Sequence, residues 1–437
     1  MGLDGDIQKL EDSGDFFRKG KLPTWIGVAY MPMADEKNPD AECNKIEVHL
    51  SLTGWMRSGF TAKSTAGDEK QRTEERIDVD SDDENGDGRV ACVYSIDEIY
   101  QRLATLMKRY FCATERVVRF WVVADKGGNR IPPEKGRTAK QRADRSEPYP
   151  ETVELSGNGL IDAADGRRGG LQVHRLMVTR RLREKLYRAL MERSLADKTL
   201  SDKSIVWDAT LDPPVEIIDG KSIEHVEWDY PKAGEDDILI PLHGNPNRQL
   251  VAISSDRDMK CILLEHRHKF KHGCILNYGN GRYVDILAFA KLLEADGWTV
   301  SAYNNACILC GHDFFFKKWT MHQIGCKSIL QAVRAMLASK RKRVDVMDKR
   351  DFVLVLRLVY SVKLKQTDGV CTMDEIREIV ESKEKTPLLV PSDEVIDYAY
   401  AWFSWSCHYW ASLQGMLYKS RPASVVNLVT PPDLPKV

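Results

Sequence analysis

The chain has 437 residues, of which 43% are hydrophobic and 30% charged, a balance that excludes a disordered polymer and fits a soluble globular protein. Lys plus Arg (64) nearly cancel Asp plus Glu (65), so only the local distribution of charge can bear on a nucleic-acid partner. The first residues, MGLDGDIQKLEDSG, contain no apolar h-region, no run approaches the ~18 apolar residues of a spanning helix, and Asp6 stands where myristoylation wants Ser or Thr. With ten cysteines spread too thinly for a secreted disulfide framework, the expectation is an intracellular protein of nucleus or cytoplasm with no membrane partner.

Taken in chain order, IEVHLSLTGW is a buried strand running into Trp55. Residues 64–90 are acidic, polar and poor in large apolar side chains, and are expected to form a solvated insertion. Asp78, Asp80 and Asp82 in that segment do not make a calcium loop, because Asp83 stands where Gly is needed and Arg89 where Glu is needed. The spacing of Ile99, Leu103, Leu106 and Met107 behind a Ser95/Glu98 capping box predicts a helix. Val117 to Val123 then form a β-rich run ending at Asp125, the alternation of an α/β protein.

The next stretch, KGGNRIPPEKGRTAKQRADRS, carries seven basic residues against two acidic ones. A second basic stretch from His174 has Leu182, Leu186 and Leu190 at helical spacing, which reads as a solvated amphipathic helix or as a phosphate-tracking surface. DILIPL and RQLVAISS are read as two further β-like runs, and ILNYGNGRYVDILAFAKLLEADG as strand, turn and helix. A helix around NNACILCGHDF is expected to end near Asp313, and the last hundred residues are helical in pattern. The aromatic run from Ser392 to Tyr418 fits a core or a docking face. Cys307, Cys310, His322 and Cys326 have the ligand count of a zinc knuckle, but ACILCG reads as an apolar helix face, and His266, His268 and His272 are not expected to be ligands.

Acidic residues stand at the ends of the β-like runs: Asp125 after FWVVA, Asp256 and Asp258 after LVAISS, and Glu235 and Asp237 opening DILIPL. In an open parallel sheet ligands bind at the carboxyl ends of the strands. Carboxylates gathered there repel one another unless cations neutralise them, and such hard oxygen donors select magnesium or manganese.

In order and spacing from Met1 to about Val333, the chain resembles the flap endonuclease/XPG family of 5′ nucleases. The residues that carry the resemblance are MGLDGDIQKL, IYQRLATLMKRYF followed by RFWVVADKGGNRIPPEKGRTAKQR, GEDDI, AISSDRDM, and NNACILCGHDF followed by HQIGCKSIL. The resemblance implies a PIN-like α/β/α sandwich with a central, mainly parallel sheet and a helix–two-turn–helix element, spanning residues 1–335. In this reading residues 64–90 are an acidic insertion, 126–195 a basic arch-like region, and 336–437 a helical C-terminal extension.

The implied activity is hydrolysis of a phosphodiester in branched or flapped DNA with two magnesium or manganese ions. The ligands would be His49, Asp125, Glu235, Asp237, Asp256, Asp258 and Asp313. His49 stands where the family has an Asp, Asp237 where it has a Glu, and Gln323 replaces a Gly of the helix–two-turn–helix element. Lys135 and Arg142 would be arch residues that steer the scissile phosphate, with Arg137 and Lys140 in the same basic stretch. Trp55 would stack a base, and Gly325 and Lys327 would meet duplex phosphates around a potassium ion. Viral host-shutoff RNases resemble the same family, so structured RNA is an alternative substrate, and a nuclease-like scaffold without activity is a further one. A monomer is expected, and the tail VVNLVTPPDLPKV lacks the Gln-x-x-Leu-x-x-Phe-Phe motif of sliding-clamp partners.

Overall fold

The protein is described here by a computed structural model covering residues 24–26, 31–34, 38, 40–63, 89–91, 93–126, 147–210, 213–224, 234–279, 282–311, 320–321, 324–339, 347–364, 371–382 and 390–411. The acidic insertion up to Gly88, the basic stretch after Lys126, and Asp313, His322 and Lys340–Arg343 lie outside the described residues. Two compact units are distinguished: Thr24–Asp256 with Lys269–Val284, and Arg257–His268 with the described residues from Asp285 on.

The first unit is built on a nine-stranded sheet. Its strands are β1 (Thr24–Ile26), β2 (Ile46–Ser51), β3 (Val117–Val123), β4 (Ser204–Asp208), β5 (Val215–Ile218), β6 (Lys221–Glu224), β7 (Gln249–Ile253), β8 (Cys274–Asn277) and β9 (Arg282–Asp285). Their spatial order is β1-β9-β8-β7-β2-β3-β4-β5-β6. The five inner strands β8, β7, β2, β3 and β4 are mutually parallel, and antiparallel pairs close both edges. The expected mixed α/β architecture with a central, mainly parallel sheet is therefore present.

Among the parallel strands the first in sequence lies in the middle, with the next two on one side and the last two on the other. That is a doubly wound order, and its reversal point lies between β2 and β7.

The two faces of β2 differ. Ile46, Val48 and Leu50 join Phe120 and Val122 of β3, Ile205 and Trp207 of β4, and Val251 and Ile253 of β7 in one apolar core. Helices Ile96–Ala113 and Arg180–Ala196 supply the facing layer of that core, through Ile99, Leu103 and Met107 on the first and Leu182, Leu186 and Leu190 on the second. The capping box is formed: the Ser95 hydroxyl accepts from the Glu98 N–H at 3.2 Å, and Glu98 accepts from the Ser95 N–H at 2.7 Å. On the basic helix, Arg181 and Lys185 both bind Glu154, and Arg193 binds Asp97. The buried leucines and the solvent-accessible charges make the helix amphipathic, as the first of the two readings expects.

The other face carries Glu47, His49 and Ser51, all buried, and is approached by helix Asp236–His243. This helix corrects the sequence reading, which took DILIPL for a strand. The apolar run is too short for periodicity to separate helix from strand, but Glu235, Asp236 and Asp237 at its start favour a helix N-terminus. Pro241 removes a late intrahelical donor, and the Lys269 ammonium binds the carbonyls of Pro241 and Leu242 at 2.8 and 2.7 Å, closing the C-terminus.

The second unit is helical: Asp258–Glu265, Ile286–Ala295, Val300–Leu309, Cys326–Ser339, Lys349–Lys363, Met373–Glu381 and Asp393–Ala411. Trp402, Phe403, Trp405, Tyr409 and Trp410 are buried, so this part of the aromatic run is core. Cys307 is buried on the apolar helix Val300–Leu309 and Cys310 is buried just past its end, and the His266 ring bonds the Trp410 carbonyl at 2.8 Å.

Gly244 follows the acidic helix where a Cβ would lie 2.6 Å from the ring of the buried Phe270. Gly244→Ala is therefore expected to destabilise the first unit by about 1–3 kcal/mol through overpacking, read as a lower denaturant midpoint at unchanged slope.

Candidate active site

The carboxyl ends of the parallel strands set the site. Ser51 ends β2, Ala124 and Asp125 follow β3, Asp208 ends β4, and Ser254 to Asp256 follow β7. Asp125 is held from both sides. Its backbone N–H donates to Thr53 Oγ1 at 3.1 Å, and its Oδ1 accepts the backbone N–H of Asp236 at 3.2 Å. The acidic turn thus presents a helix N-terminus to a carboxylate, an arrangement favoured by the helix dipole.

Asp236 is fixed in turn by the Ser51 hydroxyl, which donates to its Oδ2 at 2.6 Å and accepts the Gly54 N–H at 3.1 Å. Gly54 completes the link across the reversal point, because its carbonyl accepts the Ser255 hydroxyl at 3.1 Å. A Cβ on Gly54 would stand 2.7 Å from Ser51 Oγ and 3.2 Å from Ser255 Oγ, so glycine permits this close approach of the segments that follow β2 and β7. Asp256 follows directly, its N–H donating to Ser254 Oγ at 3.1 Å.

The expected ligands therefore divide. Asp125 meets the Glu235–Asp237 turn through the Asp236 N–H, and Asp256 follows Ser255, whose hydroxyl reaches the Gly54 carbonyl. Glu235 and Asp237 are 3% and 6% exposed. Asp258 opens a helix of the second unit, and Asp313, Lys135, Arg137, Lys140 and Arg142 lie outside the described residues. Gly325 and Lys327 are exposed at the start of helix Cys326–Ser339, and Trp55 is half-buried with its ring edge-on to Phe60 at 5.1 Å.

His49 stands apart from these acids. It is fully buried within β2, its ring is stacked on Trp121 at 5.3 Å, and the carboxylate beside it is Glu47, at 3.6 Å. Burial pushes the imidazole below its ordinary pKa, and Glu47 works against that shift. Burial would also raise the Glu47 carboxyl, but His49, Arg248 and Arg119 outweigh it and hold it at about 2. Arg248 Nη1 lies 2.8 Å from Glu47 Oε1, and the Asn245 N–H donates to Oε2 at 3.2 Å, so Glu47 also anchors the loop behind the acidic helix.

Sequence reasoning passed over Asp236, Ser51, Lys126, Asp208 and His243. Asp236 carried a signal, since it is an acid where the family resemblance has Ala between two acids. Asp208 likewise ends a β-rich run, SIVWD. The roles of Ser51, Lys126 and His243 depend on contacts between distant segments and left no local mark.

Among the described residues no group of three carboxylate, imidazole or thiolate side chains is gathered closely enough to hold a metal ion. The donors that do converge are carboxylate oxygens and a hydroxyl. Magnesium is commonly held by one or two carboxylates with the rest of its shell from water and substrate phosphate. The Asp125–Asp236 pair fits such an ion in the kind of its donors.

Glu47 gives a pH signature. Its folded pKa lies below the ordinary value of 4.5, so its contribution is complete above that value and is lost as pH falls toward about 2. Glu47→Gln is expected to cost about 2 kcal/mol at pH 7, with the deficit narrowing as pH falls through that window, as measured by unfolding at a series of pH values.

In comparisons with known proteins, no family model and no curated protein matches this chain.

Proposed function

We propose that the protein is a metal-dependent phosphodiesterase acting on nucleic acid, a divergent 5′ nuclease with a PIN-like fold that resembles the flap endonuclease/XPG group. The observation that carries this reading is the meeting of Asp125 with Asp236 at the carboxyl edge of a doubly wound sheet, linked to Asp256 across the strand reversal. Asp125 and Asp236 would hold a magnesium or manganese ion, with Glu235, Asp237 and Asp256 around it. Such an ion, when bound, neutralises phosphate charge and lowers the pKa of water.

The chain's own residues do the positioning. Thr53 fixes the backbone of Asp125, and Ser51 fixes the Asp236 carboxylate. His49, buried in β2 with Trp121 and Glu47 beside it, is not assigned as a ligand in this reading. The substrate contacts proposed with the site are Trp55 for base stacking, Lys135 and Arg142 for the scissile phosphate, Arg137 and Lys140 for nucleic-acid binding, and Gly325 and Lys327 for the duplex backbone. A potassium ion beside Gly325 belongs to the same proposal, as do Asp258 and Asp313 as ligands of a second ion.

Purified protein is expected to cut a 5′-flapped DNA duplex or a structured RNA with magnesium or manganese, and the preferred substrate separates a DNA from an RNA nuclease. Asp125→Asn and Asp256→Asn should each slow cleavage by about 10²–10³-fold, the size of effect seen when one charge-stabilising group is removed from an active site. If wild type cuts neither substrate with either ion, the catalytic reading is wrong and a nucleic-acid-binding scaffold takes its place.

A further inference from the structure

Behind the acidic turn lies a buried charge system that the proposed chemistry does not itself use. Asp208 closes β4 with its side chain 1% exposed, and its two carboxylate oxygens serve two different segments. Oδ1 binds the ammonium of Lys126, whose side chain is also 1% exposed, and Oδ2 lies 2.7 Å from His243 Nε2. The Asp208 backbone carbonyl accepts the Ala124 N–H at 3.2 Å. Burial would raise its carboxyl, but His243 and Lys126 outweigh that and keep it below the usual carboxylate range.

Two consequences follow from where these partners sit. Lys126 and Ala124 flank Asp125, so Asp208 grips the chain on both sides of that residue. His243 ends the acidic helix, while the Lys126 backbone N–H donates to the carbonyl of Gly234, just before that helix, at 2.8 Å. The eight-residue helix is therefore held at both ends through bonds that converge on Asp208. Trp121 stacks on His243 with centroids 4.9 Å apart and planes 13° apart, which orients the imidazole toward the carboxylate.

We infer that Asp208 is a positioning residue, the carboxylate that sets the acidic turn Glu235–Asp237 against Asp125. It acts through Lys126 and His243, not by touching substrate. A buried ion pair adds little net stability compared with apolar side chains of the same shape, so retaining one here is better explained by the geometry it imposes than by its energy. The functional part of this inference rests on the proposed metal-dependent site, whereas the positioning of the helix does not.

The experiment uses the full chain, with Asp208→Asn and the paired variant Lys126→Met/Asp208→Asn, in which both buried charges are removed together so that neither is stranded. Amide hydrogen exchange should rise by about tenfold or more in residues 236–243 of both variants, while Val48, Leu50 and Phe120 keep their protection. Manganese affinity, titrated on the same samples, should weaken by about 10–100-fold, as is usual when a residue supporting metal ligands is lost. Unchanged protection of the helix in the paired variant overturns the inference. So does a rise spread equally over β2 and β3, or a failure of both variants to fold, since either makes Asp208 a support of the whole sheet. A wild type that binds no manganese and cuts nothing would defeat the nuclease reading, and the exchange comparison would still decide the role of Asp208.

Discussion

A single hydrogen bond, from the backbone of Asp236 to the carboxylate of Asp125 at 3.2 Å, draws together the strands and the helix that matter for chemistry. Carboxylates brought to one edge repel each other, and the sheet tolerates them because each meets a donor. Asp125 receives the amide at a helix N-terminus, Asp236 receives the Ser51 hydroxyl, and Asp208 receives Lys126 and His243. Each of these donors offsets part of the cost of holding an acid at this edge.

The contrast between the two faces of β2 explains how the site is supported. On one face Ile46, Val48 and Leu50 enter an apolar core that is non-directional and tolerant of small shifts. On the other, Glu47, His49 and Ser51 meet directional partners: Arg248 and Asn245 at Glu47, Trp121 at His49, and Asp236 at Ser51. Hydrophobic burial stabilises the sheet from the first face, while the second specifies where one short helix stands. Lys269 at the carbonyls of Pro241 and Leu242 and the close packing of Gly244 on Phe270 hold the far end of that helix.

Features governed by short-range physics were readable in advance. The Ser95–Glu98 capping box, the strand Val117–Val123 and the run RQLVAISS with its Gln249–Ile253 strand all depend on neighbours within a few residues. DILIPL was misread because its helical state is decided by three acids at its start and by packing on β2, and not by its own apolar pattern. His49 illustrates the converse problem. Its position in an ordered set of motifs suggested a ligand, and the structure places it mid-strand, buried and stacked on Trp121 with the Glu47 carboxylate beside it.

By itself, then, the sequence determined an α/β unit with buried parallel strands, a largely helical C-terminal part, and acids placed just beyond strand ends, because periodicity, capping and punctuation are local properties of a chain. Only the tertiary structure decided the strand order and the reversal between β2 and β7. It alone brought residues 51, 125 and 236 into one linked set, placed Ser255 against Gly54 and singled out Asp208 as the point where Lys126 and His243 converge. Those contacts join residues as much as 201 positions apart, and such pairings arise from the mutual burial of whole elements, which no local window of sequence records.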